Sequence, residues 1–456
     1  MKIVTKLLSL CLALVLFVTT LIPSAAMASP SLDQEQQVFL LSILSNAASS
    51  RKCQDTKGCQ EELQELLKTD ITNYLNTPSI QQDIGNWDLV WGPVVYQVSL
   101  TKKAANAMYV AQNGNQYVVA IAGTNPISFY DWLIEDGSVK RQVSWPYGDI
   151  PPNLEPKISQ GTSIGLNNLL QKMKSSGQSL LEFLGETVEN SDDEIEIIFT
   201  GHSLGGALSP TLALAAFDQK SEWAGEKPFK ISVYPSAGPT PGNQDFSTYY
   251  DSELGNSTTR IWNDIDIVPH AWNETMLSEI PSLYQPEIQP GWLVKGFVGI
   301  AEGLAEYGNY TQILPGMLGL EGMVNPSTPS LCKTPGSSNS IFLADEELSQ
   351  VIEELEDKIL KDPELQRYLS NGVENSSSLN FEQKQLLKLF VSKFSTFMKQ
   401  AGYQHTSEYA VLLDVKDPYC TMFAETQGEL FAPPDSSEFE ALVLRLLKEQ
   451  PQLLKE

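Results

Sequence analysis

The chain has 456 residues, with 30 basic and 56 acidic side chains, which gives a formal net charge of −26 at pH 7. Such an acidic chain is a poor partner for nucleic acid and for anionic lipid headgroups, because a negatively charged surface is repelled by both. The length exceeds that of one simple domain, and the sequence contains no internal repeat.

Residues 1–28 are predicted to be a secretory signal peptide. Lys2 and Lys6 provide a positive start, residues 7–22 are apolar, and Ala26-Met27-Ala28 is typical of a cleavage site. An uncleaved membrane anchor is the alternative, although the apolar run is short for a complete span. Cleavage would remove two lysines and no acid, so the formal charge would change from −26 to −28. We therefore expect a secreted or periplasmic protein without a transmembrane segment in its mature chain.

Four cysteines follow the predicted signal peptide. An even number of cysteines after a secretory signal predicts two disulfides. The most local of the three possible connectivities joins Cys53 to Cys59 and Cys332 to Cys420. Zinc is a poor alternative, since no histidine lies near these cysteines in the sequence, and no metal site is predicted.

After the signal peptide, the chain is predicted to divide into four segments. Residues 29–90 are expected to be helical, and residues 91–280 alternate strand-like and helical runs, which is typical of an α/β fold with a mostly parallel central sheet. Residues 281–400 are predicted to be a partly helical insertion, because apolar residues recur there at helical spacing. Residues 401–456 are expected to hold a loop with a histidine and a C-terminal helix. Whether the insertion simply packs on the core or forms a cap is left open.

Two strands near the start of the core are predicted to form a β-hairpin. Residues 107–112 and 116–122 flank Asn113-Gly114-Asn115, and Asn-Gly is a strong turn signal. Thr124 would then lie just past a central strand, where its backbone and hydroxyl donors could face the carboxyl edge of the sheet. A plain strand-capping threonine is the simpler interpretation.

The motif Gly201-His202-Ser203-Leu204-Gly205 predicts a nucleophile elbow. The β-favouring residues 197–200 lead into it, and the alanine- and leucine-rich residues 207–217 leave it, which is the required strand–turn–helix context. Glycines on both sides permit a tight turn. The serine would project beside a helix N-terminus, where backbone N–H groups can stabilise an oxyanion. An ordinary glycine-rich turn is the alternative.

A serine nucleophile needs a base and a group that orients the base, and the chain holds three histidines. His405 is the preferred base, because it comes last in the order nucleophile, acid, histidine of the α/β-hydrolases. His270 is the alternative base, and the absence of any triad also stays open. His202 is expected to pack within the elbow, since neighbouring side chains diverge on a sharp turn. Asp264 and Asp266 are the candidate acids.

Four sequence blocks, in their order along the chain, resemble the class three (fungal-type) lipases of the α/β-hydrolase superfamily. Ordered blocks of this kind are more specific than the elbow motif alone. The blocks are residues 118–124 with Asp131-Trp132, residues 200–206, residues 236–243 with Phe246, and residues 260–263 leading into 266–270.

The resemblance implies roles for individual residues. The aspartate that opens Asp266-Ile267-Val268-Pro269-His270 is the triad acid of that family, so Asp266 is preferred to Asp264. Thr124 would carry the oxyanion hole, with the backbone N–H of Leu204 as the second donor.

Residues 126–135 occupy the position of the lid in class three lipases. An amphipathic flap of this kind would cover an apolar acyl groove in water and open at a lipid interface. A helix packed permanently on the core is the alternative. The predicted lid side chains are Ile127, Phe129, Tyr130 and Trp132.

Taken with the resemblance, the sequence predicts a secreted serine carboxylic-ester hydrolase with an α/β-hydrolase fold and a mainly helical insertion before the catalytic histidine. The expected activity is that of a lipase on acylglycerols, carried by Ser203, His405 and Asp266 without a cofactor. A phospholipase A1 or a soluble esterase on the same triad is the alternative, and a non-catalytic surface or binding protein is a third. The expected partner is a lipid or ester substrate at an interface. Nucleic acid is not expected, and the oligomeric state is not predicted.

Overall fold

The computed structural model describes residues 30–48, 53, 58–97, 104–123, 138–328, 331–332, 345–362, 365, 379, 381–426 and 436–449. The predicted signal peptide lies outside these residues. So do the predicted oxyanion residue Thr124 and the predicted lid residues Ile127, Phe129, Tyr130 and Trp132.

The strands of the described residues form one main sheet and two short ribbons. The strands are β1 (Asp88–Gln97), β2 (Ala104–Asn113), β3 (Gln116–Ile121), β4 (Gln142–Ser144), β5 (Lys157–Ser159), β6 (Lys174–Ser175), β7 (Gln178–Ser179), β8 (Ile195–His202) and β9 (Phe229–Ser236). The main sheet has five strands in the order β1-β2-β3-β8-β9, while β4 pairs with β5 and β6 pairs with β7.

The predicted hairpin is confirmed. β2 and β3 pair antiparallel, with Asn113 opposite Gln116, and Gly114 between them adopts a φ of +56°, as a tight hairpin turn requires. β1 and β2 are also antiparallel, whereas β3–β8 and β8–β9 are parallel. The sheet is therefore more evenly mixed than the mostly parallel sheet that we expected, because β1, β2 and β3 are antiparallel neighbours.

The helices of the described residues cover both faces of this sheet and extend beyond it. They are α1 (Gln34–Leu44), α2 (Cys59–Leu75), α3 (Pro78–Ile84), α4 (Gln160–Asn167), α5 (Leu180–Asn190), α6 (Leu204–Asp218), α7 (Lys220–Trp223), α8 (Gln244–Leu254), α9 (Glu274–Glu279), α10 (Trp292–Ala305), α11 (Asp345–Lys361), α12 (Phe381–His405), α13 (Ser407–Leu412), α14 (Lys416–Glu425) and α15 (Ser436–Glu449). Among the described residues, no helix is long and apolar enough to cross a membrane.

β8 lies at the centre of the fold. Seven of its eight residues are buried, and Glu196 is the half-buried exception. A parallel strand that helices cover on both faces is buried along nearly its whole length in this way. α6, which follows directly, buries apolar residues all around its axis. The strand–turn–helix unit that carries Ser203 is therefore fixed within the core.

The helices of the predicted insertion and the C-terminal helix α15 build an apolar core that reaches the loop between α8 and α9. Residues of α10, α11, α12 and α15 are buried in one cluster together with Val268. Ion pairs join α15 to the α11 region, with Lys358 Nζ 2.7 Å from Glu440 Oε2 and Lys448 Nζ 2.7 Å from Asp362 Oδ2. The insertion therefore packs against the loop that carries the candidate acids.

The sequence led us to expect His405 in a loop, but His405 lies at the end of a helix. α12 continues through residues 401–404 and ends at His405. All of these residues are buried by contacts with the rest of the chain, so tertiary packing stabilises a helical turn that the local sequence does not predict.

The predicted disulfide pairing is confirmed. Cys53 bonds to Cys59, with Cα atoms 5.4 Å apart. Cys332 bonds to Cys420, with Cα atoms 5.2 Å apart and a separation of 88 positions in the sequence. The second disulfide closes a long loop that contains His405.

Loss of the two disulfides is expected to cost unequal amounts of stability. In the chain-entropy model, the Cys332–Cys420 crosslink contributes about 4.6 kcal/mol and the short Cys53–Cys59 crosslink about 2 kcal/mol. Urea unfolding should therefore show a larger loss in the free energy of unfolding for the Cys332→Ser/Cys420→Ser variant than for the matched control, Cys53→Ser/Cys59→Ser. Equal losses, or a larger loss in the control, would contradict the entropic account.

Candidate active site

Ser203 occupies a strained turn between β8 and α6. Its backbone has φ 63° and ψ −126°, a conformation that is unusual for a residue with a Cβ atom and is associated with functional sites. Ser203 is 1% exposed. The turn is possible because its neighbours are small: a Cβ atom added to Gly205 would lie 2.2 Å from the backbone oxygen of Ile121, and one added to Gly206 would lie 2.2 Å from that of Ser236.

The end of β3 lies directly beside this turn. A Cβ atom added to Gly123 would lie 2.9 Å from Ser203 Cβ and 3.3 Å from the backbone nitrogen of Leu204. Leu204 is the first residue of α6, so its N–H group belongs to a helix N-terminus, which favours negative charge. Gly123 thus brings the chain next to the predicted nucleophile and to one of the predicted oxyanion donors.

Ser203, His405 and Asp266 form a continuous line of hydrogen bonds. The Nε2 atom of His405 is 2.8 Å from Ser203 Oγ, and its Nδ1 atom is 2.8 Å from Asp266 Oδ2. A carboxylate accepts only, so Nδ1 carries the proton and Nε2 is free to accept the serine hydroxyl proton. Asp266 and His405 are 0% and 1% exposed. This is the geometry that a nucleophile, a general base and a group that orients the base require.

The carboxylate of Asp266 is held by two further donors. Asp266 Oδ1 accepts the backbone N–H of Val268 at 3.0 Å, and Oδ2 also accepts the hydroxyl of Tyr409 at 3.0 Å. Tyr409 in turn accepts the backbone N–H of Asn263 at 3.0 Å. Burial, followed by the nearby Asp266 charge, raises the pKa of Tyr409 well above its usual value. Tyr409 therefore stays protonated and can serve as a permanent donor to the carboxylate.

The alternative base and acid have other partners. His270 Nδ1 donates to the backbone oxygen of Asp266 at 2.8 Å, and burial is the main cause that lowers the pKa of His270. Asp264 Oδ1 accepts the backbone N–H of Gly322 at 2.8 Å. His270 thus braces the loop of Asp266, and Asp264 fastens that loop to residues of the insertion.

Sequence reasoning missed the residues that connect the acid loop to the base. Tyr409 stands out in the sequence only as the start of an apolar run. Asn263 Nδ2 donates to Gln404 Oε1 at 2.6 Å, which ties the acid loop to the residue before His405. No local signal in the sequence marks the pair of Asn263 and Gln404.

The N-terminal helical segment also supports the site. Asn46 Oδ1 accepts the backbone N–H of Gly123 at 2.8 Å, and Asn46 Nδ2 donates to the backbone oxygen of Ser42 at 3.2 Å. The ring of Phe39 stacks on Tyr409, with centroids 6.1 Å apart. α1 and the turn after it therefore hold the end of β3 and the donor to Asp266.

The chemistry available here is transfer of an acyl group through a serine. The described residues contain no group of three or more histidine, cysteine, aspartate or glutamate side chains that could hold a metal ion. The buried line from Ser203 to Asp266 can move a proton from the hydroxyl to the imidazole and stabilise the imidazolium that results.

Comparisons with known proteins find similarity to lipases. Residues 118–276 match a protein-family model described as lipase (class 3). The crystal structure of M37 lipase is 28% identical in sequence, covers 84% of this chain and 93% of that chain, and gives a TM-score of 0.62. Lipase II from Rhizopus niveus is 16% identical, covers 54% of this chain and 78% of its own, and gives a TM-score of 0.36. The last value is too low to support a conclusion about this chain.

A plant protein is similar over a shorter stretch. Phospholipase A1-Igamma2, chloroplastic, from Arabidopsis thaliana is 33% identical over 120 residues, which are 25% of this chain and 20% of the plant protein. The match thus spans about a fifth of the length of the plant protein. The N-terminal helices and the insertion lie outside the residues that match the family model.

Proposed function

We propose that this chain, which belongs to the class 3 lipase family of the α/β-hydrolase superfamily, is a secreted serine carboxylic-ester hydrolase that cleaves acylglycerols. The observation that carries the proposal is the buried hydrogen-bonded line from Ser203 Oγ through His405 to Asp266, with both nitrogen–oxygen distances at 2.8 Å. Two disulfides and the signal-like residues 1–28 support secretion.

In the proposed reaction, Ser203 Oγ attacks the carbonyl carbon of the ester while its proton passes to His405 Nε2. Asp266 stabilises the resulting imidazolium. Collapse of the tetrahedral intermediate breaks the bond to the alcohol, which takes the proton from His405 and leaves an acyl-serine. A water molecule, deprotonated by the same histidine, then attacks the acyl carbon. The acid is released and Ser203 recovers its proton.

The oxyanion of the intermediate would be held by two donors. We assign them to Leu204, through its backbone N–H at the start of α6, and to Thr124, by resemblance to the family. The position of Gly123 supports the assignment, since it lies beside both Ser203 and Leu204. Donors that are fixed in advance at a developing charge supply a large share of the rate enhancement in acyl transfer.

A phospholipase A1 is the second candidate. The similarity to the plant phospholipase A1-Igamma2 favours it, and the triad chemistry would be the same. The net charge of −26 argues for a neutral or zwitterionic substrate surface in either case, because an anionic surface would repel the protein.

A comparison of three substrates tests the proposal. Triolein, phosphatidylcholine and a dissolved short-chain aryl ester separate a lipase, a phospholipase and a soluble esterase. We expect hydrolysis of triolein to rise sharply once the substrate forms droplets. Apolar lid side chains that opening would expose to water can then be buried in lipid, which stabilises the open lid by about 1.5–3 kcal/mol for each side chain. A fluorophosphonate should label Ser203 in the same preparation. A protein that is neither labelled nor active on any of the three esters would be non-catalytic.

A lid variant serves as the control for this experiment. Replacing both Phe129 and Trp132 by serine should flatten the rise at the solubility limit and spare hydrolysis of the dissolved aryl ester. Simple saturation kinetics across the solubility limit in the wild-type protein would contradict the proposed lid and favour a soluble esterase.

A further inference from the structure

His202 lies next to the nucleophile in the sequence, yet its ring reaches the base. Its Nε2 atom is 2.8 Å from the backbone oxygen of His405, and its Nδ1 atom is 3.1 Å from Ser236 Oγ. The ring is 0% exposed. We propose that His202 is a positioning residue, which fixes His405 relative to Ser203 by donating a hydrogen bond to the backbone carbonyl of His405. The inference rests on the proposed function, because it concerns the efficiency of the same site.

The partners of the His202 ring determine where its proton lies. A carbonyl oxygen accepts only, so Nε2 must carry the hydrogen that faces His405. In the neutral ring Nδ1 is then an acceptor, and the Ser236 hydroxyl can donate to it. Burial, followed by the proximity of His405, lowers the pKa of His202 well below its usual value. The ring is therefore neutral, with its proton on Nε2.

The hydrogen bond from His202 to the backbone of His405 is a second link between the elbow and His405, besides the one from Ser203. His202 is covalently joined to Ser203, and Ser203 Oγ is 2.8 Å from His405 Nε2. The imidazole of His405 is thus tied to the elbow at its side chain and at its own backbone. His405 is also the last residue of α12, where carbonyl groups have no partner within the helix. His202 supplies a donor at that helix end.

The neutral state of His202 serves the proposed reaction as well. Its ring centroid is 4.9 Å from that of His405, which becomes an imidazolium during catalysis. A second cation so close would oppose the proton transfer to His405. The aromatic rings of Phe39 and Tyr409 surround His202, with centroids 6.1 Å and 5.3 Å from its own, and they help to keep the ring desolvated.

Two variants of similar size separate positioning from packing. His202→Gln keeps an N–H donor at the end of the side chain, whereas His202→Met removes the donor and keeps the bulk. We expect His202→Met to lower kcat on a dissolved aryl ester about 10- to 100-fold, because small displacements of a catalytic group reduce rates steeply. KM should change by less than about 2-fold, since binding of the substrate is not altered. His202→Gln should recover most of the lost kcat.

The rate of fluorophosphonate labelling at Ser203 provides a second readout, and it should fall in parallel with kcat. Equal activity in His202→Met and the wild-type protein, or equal losses in His202→Met and His202→Gln, would overturn the positioning role. A wild-type protein that is neither labelled nor active would instead contradict the proposed function. The two failures are thus distinguishable.

Nuclear magnetic resonance of the wild-type protein keeps the inference testable if His202→Met does not fold. The chain has three histidines, so ¹⁵N-labelled histidine gives few signals, and His202→Gln assigns the one of interest. We expect a neutral His202 at pH 7, protonated on Nε2 and not on Nδ1. A neutral ring protonated on Nδ1, or an imidazolium at that pH, would overturn the inference.

Discussion

Replacement of Ser203 or His405 by alanine is expected to lower kcat/KM on an aryl ester about 10⁵- to 10⁶-fold, because the members of a triad act as one unit. Without Ser203 the nucleophile is absent, and without His405 the hydroxyl cannot be deprotonated at neutral pH. The double variant should be no slower than either single variant. Steady-state kinetics measures kcat/KM for the single and double variants, and circular dichroism verifies that each variant folds.

His270→Gln is the matched control for His405→Ala. His270 is also buried and also contacts Asp266, but through the backbone oxygen of that residue. We expect only a modest loss in kcat/KM for this variant. A large loss in His270→Gln together with near-normal activity in His405→Ala would show that the base is His270.

The substitution Asp266→Asn is expected to lower kcat about 10⁴-fold, since an amide in place of the carboxylate favours the wrong tautomer of the histidine and cannot stabilise its cation. The side chain has nearly the same shape, so the fold should be retained. The loss should appear in kcat rather than in KM, because Asp266 acts on the base and does not touch the substrate.

Asp264→Asn is the matched control, two residues earlier in the same loop. Asp264 accepts the backbone N–H of Gly322, and an asparagine oxygen can accept the same bond. Activity of Asp264→Asn should therefore stay within about 3-fold of the wild-type protein. The reverse result, with Asp264→Asn inactive and Asp266→Asn active, would exchange the roles of the two acids.

Features that depend on local backbone geometry could be predicted from the sequence. The elbow needs glycines where backbones approach closely, and Gly201, Gly205 and Gly206 mark those positions in the sequence itself. The hairpin needs a residue with positive φ, and Gly114 supplies it. The elbow and the hairpin were recognisable for this reason. The candidates for base and acid were few, because the chain contains only three histidines.

The partners of those residues depend on contacts between distant parts of the chain. His405 meets Asp266 across 139 positions, Tyr409 meets Asp266 across 143, and His202 meets the backbone of His405 across 203. A contact of this kind leaves no spacing pattern in the sequence, since each side chain satisfies only the ordinary preferences of its own helix or strand.

The chemistry of the site was therefore determined by residue types that the sequence displays, namely a serine on a glycine-rich turn, one late histidine and the aspartate that opens Asp266-Ile267-Val268-Pro269-His270. Only the tertiary structure decided how those groups are held. It extends α12 to His405, braces the acid with Tyr409, and ties the end of β3 to Asn46 of the N-terminal segment. The physical reason is that a strained turn is specified by its own residues, whereas a buried hydrogen bond is specified by two segments that meet only when the chain folds.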